Sequence, residues 1–130
     1  MLRRNLLLGV AGVAVLGVTG CATHPVSVQQ ATELPAAQLR MCIKRAAHRR
    51  GWRVVTDEPG KMRIKYVKGP HVLVADVTYD NEGYMIEAVK EGSTLFNKDG
   101  TAHRKVNSWT ANLTVTIREE ENKILLRQTN

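Results

Sequence analysis

The sequence predicts an α+β domain: a two-layer sandwich in which a four-stranded antiparallel meander sheet carries two helices packed on one face, in the order α-β-β-β-β-α. Three observations predict it. Residues 61–89 alternate between apolar and polar side chains with the two-residue period of half-buried strands. Short turns rich in Gly, Pro, Asn and Asp cut that stretch into pieces, and turns this short join antiparallel neighbours. Segments with the apolar period of helices flank the strands on both sides.

The first helix is predicted to begin near Pro35, a residue suited to a first turn, and to end at Gly51. Leu39, Cys42, Ile43, Ala46 and Ala47 fall on one stripe. Arg40, Lys44, Arg45, Arg49 and Arg50 occupy the opposite side, which reads as a solvated cationic face. Trp52 to Thr56 is rich in β-formers, and Glu58-Pro59-Gly60 is a turn. From Lys61 the chain alternates, with Lys61, Arg63 and Lys65 on one face and Met62, Ile64 and Tyr66 on the other. Lys68-Gly69-Pro70 reverses it. Leu73, Ala75, Val77 and Tyr79 then share a face, with Val72, Val74, Asp76 and Thr78 opposite. Asp80-Asn81-Glu82-Gly83 is a tight turn, and Tyr84 to Val89 returns as the fourth strand.

Residues 91–102 are irregular, and the last helix is predicted from about His103 to Arg127. Its stripe is Val106, Trp109, Leu113, Ile117, Ile124 and Leu125. One conflict arises inside it, because Leu113 to Ile117 alternates like a strand and is rich in β-branched residues. Glu119, Glu120, Glu121 and Lys123 are good helix formers and no turn separates the two halves, so helix prevails.

Ahead of the domain, Arg3 and Arg4 precede an apolar run from Leu6 to Val18 and the junction Val18-Thr19-Gly20-Cys21. A basic start, an apolar segment of about 7–15 residues and a small-residue junction make a secretory leader. The run is too short for a bilayer span, which takes roughly 20 residues. Residues 1–20 therefore read as a leader, 21–33 as a lipidated start and flexible tether, and 34–130 as one domain. Val-Thr-Gly-Cys resembles the lipobox of bacterial lipoproteins. The resemblance implies that the Cys21 thiol is diacylated, that the bond before it is cut, and that the new amino group is acylated. Two or more acyl chains anchor stably, each buried methylene contributing about 0.8 kcal/mol. In Gram-negative lipoproteins an Asp after the Cys retains the protein at the inner membrane; Ala22 points instead to the outer membrane, facing the periplasm.

Beyond the leader there are 17 basic against 12 acidic residues, a net charge near +5. Such a surface suits an anionic partner. Export excludes nucleic acid and leaves phospholipid headgroups, lipopolysaccharide, cell-wall polymers or another envelope protein. Lys61, Arg63 and Lys65 are the candidate anion contacts. With Cys21 acylated, Cys42 is the remaining thiol, so no intramolecular disulfide is expected and Cys42 reads as a small buried apolar residue.

Catalytic motifs are scarce. The chain has no Gly-rich phosphate loop, no His-Glu-x-x-His, no Cys-x-x-Cys and no Gly-x-Ser-x-Gly. His24, His48, His71 and His103 do not fall at chelating spacing, so neither metal nor cofactor is expected. Trp52 and Trp109 read as core. Ser93, Asp99 and His103 are the one conceivable hydrolytic set, with His103 as base, although Asp99-Gly100-Thr101 also reads as a turn into a helix start.

Gly51-Trp52, Pro59-Gly60, the strand from His71 to Tyr79, Tyr84-Met85-Ile86, Ser93 to Leu95, and His103, Asn107, Trp109 and Leu113 together form a pattern. It resembles that of a family of small bacterial lipoproteins with no assigned activity, over nearly the whole domain. Lys105 and Val106 depart from the Asn and Tyr of that pattern, and the Ser-to-Leu spacing is one residue shorter. The resemblance implies an envelope location and marks His71, His103 and Asn107 as a candidate polar site. The expected function is membrane-anchored, non-enzymatic binding or scaffolding; the alternative is a small envelope hydrolase using the 91–103 loop.

Overall fold

A computed structural model describes residues 27–128. Cys21, His24 and the leader lie outside the described residues. The elements follow as β1 (Ser27–Ala31), α1 (Ala36–Arg49), β2 (Arg53–Glu58), β3 (Lys61–Lys68), β4 (His71–Tyr79), β5 (Gly83–Val89) and α2 (Arg104–Gln128). All five strands form one antiparallel sheet in the order β1-β5-β4-β3-β2. The class is therefore α+β, but the sheet has five strands where the sequence predicted four. The additional one comes from the segment expected to be tether. Ser27–Ala31 lines up beside Gly83–Glu87, from Ser27 opposite Glu87 to Ala31 opposite Gly83. Its backbone supplies partners for a strand that would otherwise present an open edge.

One face of the sheet is apolar as predicted. Met62, Ile64, Leu73, Ala75, Val77, Tyr79, Tyr84 and Ile86 are buried there under both helices. α1 buries Leu39, Cys42, Ile43, Ala46 and Ala47, while α2 buries Val106, Leu113 and Ile117. The helices run antiparallel: Arg49 at the end of α1 meets Glu119 and Glu120, and Gln38 at its start meets Gln128.

Both ends of α1 are satisfied from nearby chain. Pro35 precedes its first turn without a capping side chain, and the Ala36 N–H donates instead to Asn81 Oδ1 of the β4–β5 turn at 2.8 Å. At the other end Gly51 adopts φ 85°, the Trp52 N–H donates to the Ala47 carbonyl, and the Gly51 N–H donates to that of His48. This is the Schellman arrangement, and it needs the left-handed glycine. The ambiguous stretch of α2 is helical throughout. The hydroxyls of Thr110, Thr114 and Thr116 donate to carbonyls four residues earlier, which satisfies β-branched polar side chains inside a helix.

Candidate functional site

The fold gathers five ring side chains at one end of the sheet. The Schellman turn delivers Trp52, the β3–β4 hairpin delivers Tyr66 and His71, and the start of α2 delivers His103 and Trp109. Trp52 and Tyr66 lie 5.4 Å apart between ring centroids, and Tyr66 meets Trp109 edge-on at 4.7 Å. Trp109 lies 6.5 Å from His71, and His71 lies 6.2 Å from His103. Offset and edge-to-face pairs at such distances are favourable. Burial grades along the row: Trp52 is buried, Tyr66, Trp109 and His71 are half-buried, and His103 is exposed. Trp109 is thus less a core residue than its place on the helical stripe suggested.

The two histidines marked as candidates come together, but Asn107 does not join them. It is exposed on α2 and accepts a hydrogen bond from Thr110 through its carbonyl. No hydrogen bond ties its amide to either imidazole among the described residues. His103 is the residue before α2, and its Nδ1 accepts the Lys105 N–H at 3.0 Å. That is helix N-capping by an imidazole, with Nδ1 as the acceptor.

The loop from Lys90 to His103 is stitched to β4 by its own polar groups. Ser93 Oγ donates to the Val89 carbonyl at 2.6 Å and accepts the Val74 N–H at 2.9 Å. Thr94 Oγ1 accepts the Val72 N–H, and the Thr94 N–H donates to the Val72 carbonyl. Asp99 accepts from both the N–H and the hydroxyl of Thr101, and those hydrogen bonds hold its carboxyl below the usual range. Ser93, Asp99 and His103 are therefore each engaged elsewhere. A Ser nucleophile needs its hydroxyl directed at a base, and the Ser93 proton is directed at a main-chain carbonyl.

The cationic faces are largely compensated. On the open face of the sheet, Arg63 donates twice to Asp76 at 2.7 and 3.0 Å, and Lys61 lies 3.8 Å from the same carboxylate. Arg63, aided by Lys61, holds the Asp76 carboxyl below its usual range. Of the three candidate anion contacts, only Lys65 makes no ion pair among the described residues. The face of α1 is likewise not a simple solvated surface. Arg40 grips Asp57 with two nitrogens and Lys44 adds a third contact at 3.3 Å, while Arg49 bridges to Glu119 and Glu120 of α2. Arg50 donates to Thr116 Oγ1 at 2.8 Å. These cations seam the helices to each other and to β2.

Cys42 and Glu121 are titratable groups shifted by burial. Cys42 is buried, and burial pushes its thiol up to about 11, which makes it inert rather than nucleophilic. Glu121 is also buried, and burial raises its carboxyl above the ordinary glutamate range even though the Thr32 hydroxyl donates to it at 2.5 Å. Among the described residues no group of three or more His, Cys, Asp or Glu side chains is placed to hold a metal ion, and no helix is long and apolar enough to cross a membrane. No protein-family model matches the chain, and no curated protein matches it.

Proposed function

We propose that the protein is a lipid-anchored, non-enzymatic binding or scaffolding domain of a bacterial cell envelope, held by acyl chains on Cys21 and facing the periplasm from the outer membrane. The observation that carries this reading is the sequence from Arg3 to Cys21: two arginines, a short apolar run and a small-residue junction ending in Cys. The pattern ending in His103, Asn107 and Trp109, with its likeness to small bacterial lipoproteins, supports the same location. So does the excess of cations, which suits an anionic envelope partner.

The start of β1 at Ser27 gives the reading a dimension. Five residues, 22–26, separate the proposed anchor from the sheet. At about 3.3–3.6 Å per residue the step from Cys21 to Ser27 spans roughly 20 Å at most. Such a domain works close to its membrane. The test is Cys21→Ser with metabolic fatty-acid labelling and membrane fractionation. Loss of label together with release from the membrane is expected; persistent label with unchanged fractionation would refute the anchor.

A further inference from the structure

The connections of this fold divide by charge. At one end of the sheet lie the β1–α1 connection, the β2–β3 turn and the β4–β5 turn. Their charged residues are Glu33, Asp80 and Glu82, with Glu58 beside them at the end of β2, all exposed. Lys61 at this end reaches inward to Asp76, and Arg127 sits in the last turn of α2. The connections themselves carry no Lys or Arg.

At the other end lie the α1–β2 connection, the β3–β4 turn and the β5–α2 loop. Here Arg53, Lys65, Lys68, Lys90, Arg104 and Lys105 are exposed or half-buried, and none of the six makes an ion pair among the described residues. Lys98 and Asp99 offset each other at the loop tip, leaving Glu91 as the remaining acid. The ring row from Tyr66 to His103 stands at this end, together with Val67, which is 55% exposed, and Pro70. Half-buried aromatic rings beside lysines and arginines are the composition that suits the interfacial layer of a bilayer.

The described chain also begins toward this end. β1 runs from Ser27 beside Glu87 to Ala31 beside Gly83, toward the acidic turns, so its first residue, Ser27, is the one nearer the basic end. We propose that the protein seats this basic, ring-bearing end on the anionic phospholipid bilayer that holds its own anchor, and turns the acidic end away from it. The proposal rests on the anchored reading of Cys21 and adds to it an orientation and a lipid chemistry. Each cation within a Debye length of an anionic surface, about 8 Å at physiological ionic strength, strengthens attachment about fivefold.

The test places one fluorophore on the full chain, at Pro70→Cys or at Glu82→Cys, and reads its quenching by nitroxide-bearing lipids. Cys42 is buried, so the introduced thiol takes the label. The lipidated protein is reconstituted into vesicles of phosphatidylcholine alone or with added phosphatidylglycerol. In the anionic vesicles position 70 is expected to be quenched and position 82 not, with the difference removed by 1 M salt, where the Debye length is about 3 Å. Equal quenching at the two positions, or stronger quenching at 82, overturns the proposal and leaves the basic end for an acidic protein partner.

Flotation separates the two readings. Failure of the full chain to float with neutral vesicles counts against the anchor, whereas flotation without differential quenching counts against the seating alone. In the Cys21→Ser background, replacing Arg53, Lys68, Arg104 and Lys105 by Gln is expected to weaken partitioning onto anionic vesicles by about six-hundredfold; unchanged partitioning refutes the electrostatic seat.

Discussion

Gly83 is the position at which the structure makes its most exposed commitment. It opens β5 directly beside Ala31, and a Cβ added there would lie 2.3 Å from the Gln30 carbonyl oxygen and 3.1 Å from the Ala31 Cα. Real Cβ atoms do not approach heavy atoms closer than 3.0 Å, and both neighbours are backbone, so no rotamer change relieves the clash. In Gly83→Ala, β1 must withdraw by at least about 0.7 Å. Main-chain hydrogen bonds that start near 2.9 Å then stretch to roughly 3.6 Å, beyond useful length. The contacts at risk extend past the ladder. The Thr32 N–H donates to the Glu82 carbonyl, Gln30 accepts from Arg118, and Thr32 donates to Glu121. At about 0.5–1.5 kcal/mol net for each hydrogen bond, with water replacing some of them at an edge, the loss comes to about 2–3 kcal/mol. For a domain of this size that lowers Tm by about 10 °C or more.

Hydrogen exchange is the deciding assay, because it separates local release from global loss. Amides of Ser27–Ala31 and their partners on β5 are expected to lose protection, while β3 and β4 keep theirs. Gly69→Ala is the control: its φ is 59° and nothing lies within 4 Å of the place an added methyl would take, so it carries only the left-handed backbone penalty of about 1–2 kcal/mol and leaves β1 protected. Without the clash, Gly83→Ala would stabilise the chain slightly by restricting its unfolded state. An equal or higher Tm with intact β1 protection would therefore refute the reasoning in sign as well as in size.

Cys42 should resist alkylation at pH 8 in the folded protein and react once denaturant exposes it; rapid labelling of the native chain would contradict its burial and raised thiol. For Glu121 the folded carboxyl prefers its proton, so ionisation lowers stability as pH rises from the ordinary glutamate range through the raised value, and has no effect below that range. Glu121→Gln should thus raise the urea midpoint at pH 7 and leave it unchanged near pH 3, where a gain of equal size would point to some other cause. His103→Ala should destabilise by about 1 kcal/mol through loss of the α2 cap, and His103→Asn should recover most of it, as thermal unfolding will report. Asp76→Ala should cost about 1 kcal/mol through loss of its two hydrogen bonds from Arg63; an unchanged thermal midpoint would show that the pair adds no net stability.

Most of the sheet was legible because its side chains are two-sided. Met62, Ile64, Leu73, Ala75 and Val77 had to share a face, and the faces of β3 and β4 follow from them. β1 was not legible for the complementary reason. Ser27–Ala31 contains Val28 as its one large apolar residue, and what places it is the backbone of β5. Charge pairing was hidden in the same way. The cationic stripe of α1 was visible, but its partners sit at Asp57 on β2 and at Glu119 and Glu120 on α2, and sequence separation gives no hint that they meet. A run of three glutamates on a predicted partner helix was the available signal. His71 and His103 stood out through the lipoprotein-like pattern, whereas the ring row that joins them to Trp52, Tyr66 and Trp109 depends on which connections share an end.

The compensation of the inner cations gives the outer ones their meaning. An excess of five positive charges spread evenly over a small domain would attract anions from every side and orient nothing. Here the carboxylates Asp57, Asp76, Glu119 and Glu120 are spent within the body, against Arg40, Lys44, Arg63 and Arg49, and those pairs serve packing. Most of the cations left unpaired gather where the α1–β2, β3–β4 and β5–α2 connections meet, with Arg45, Arg118 and Arg127 apart on the helices, while the exposed acids Glu33, Glu58, Asp80 and Glu82 gather at the opposite end. A field with that polarity exerts a torque near an anionic plane, and under the proposed anchoring at Cys21 the five residues 22–26 would keep the domain within about 20 Å of one. Orientation then follows from where the pairs are made, not from the net charge.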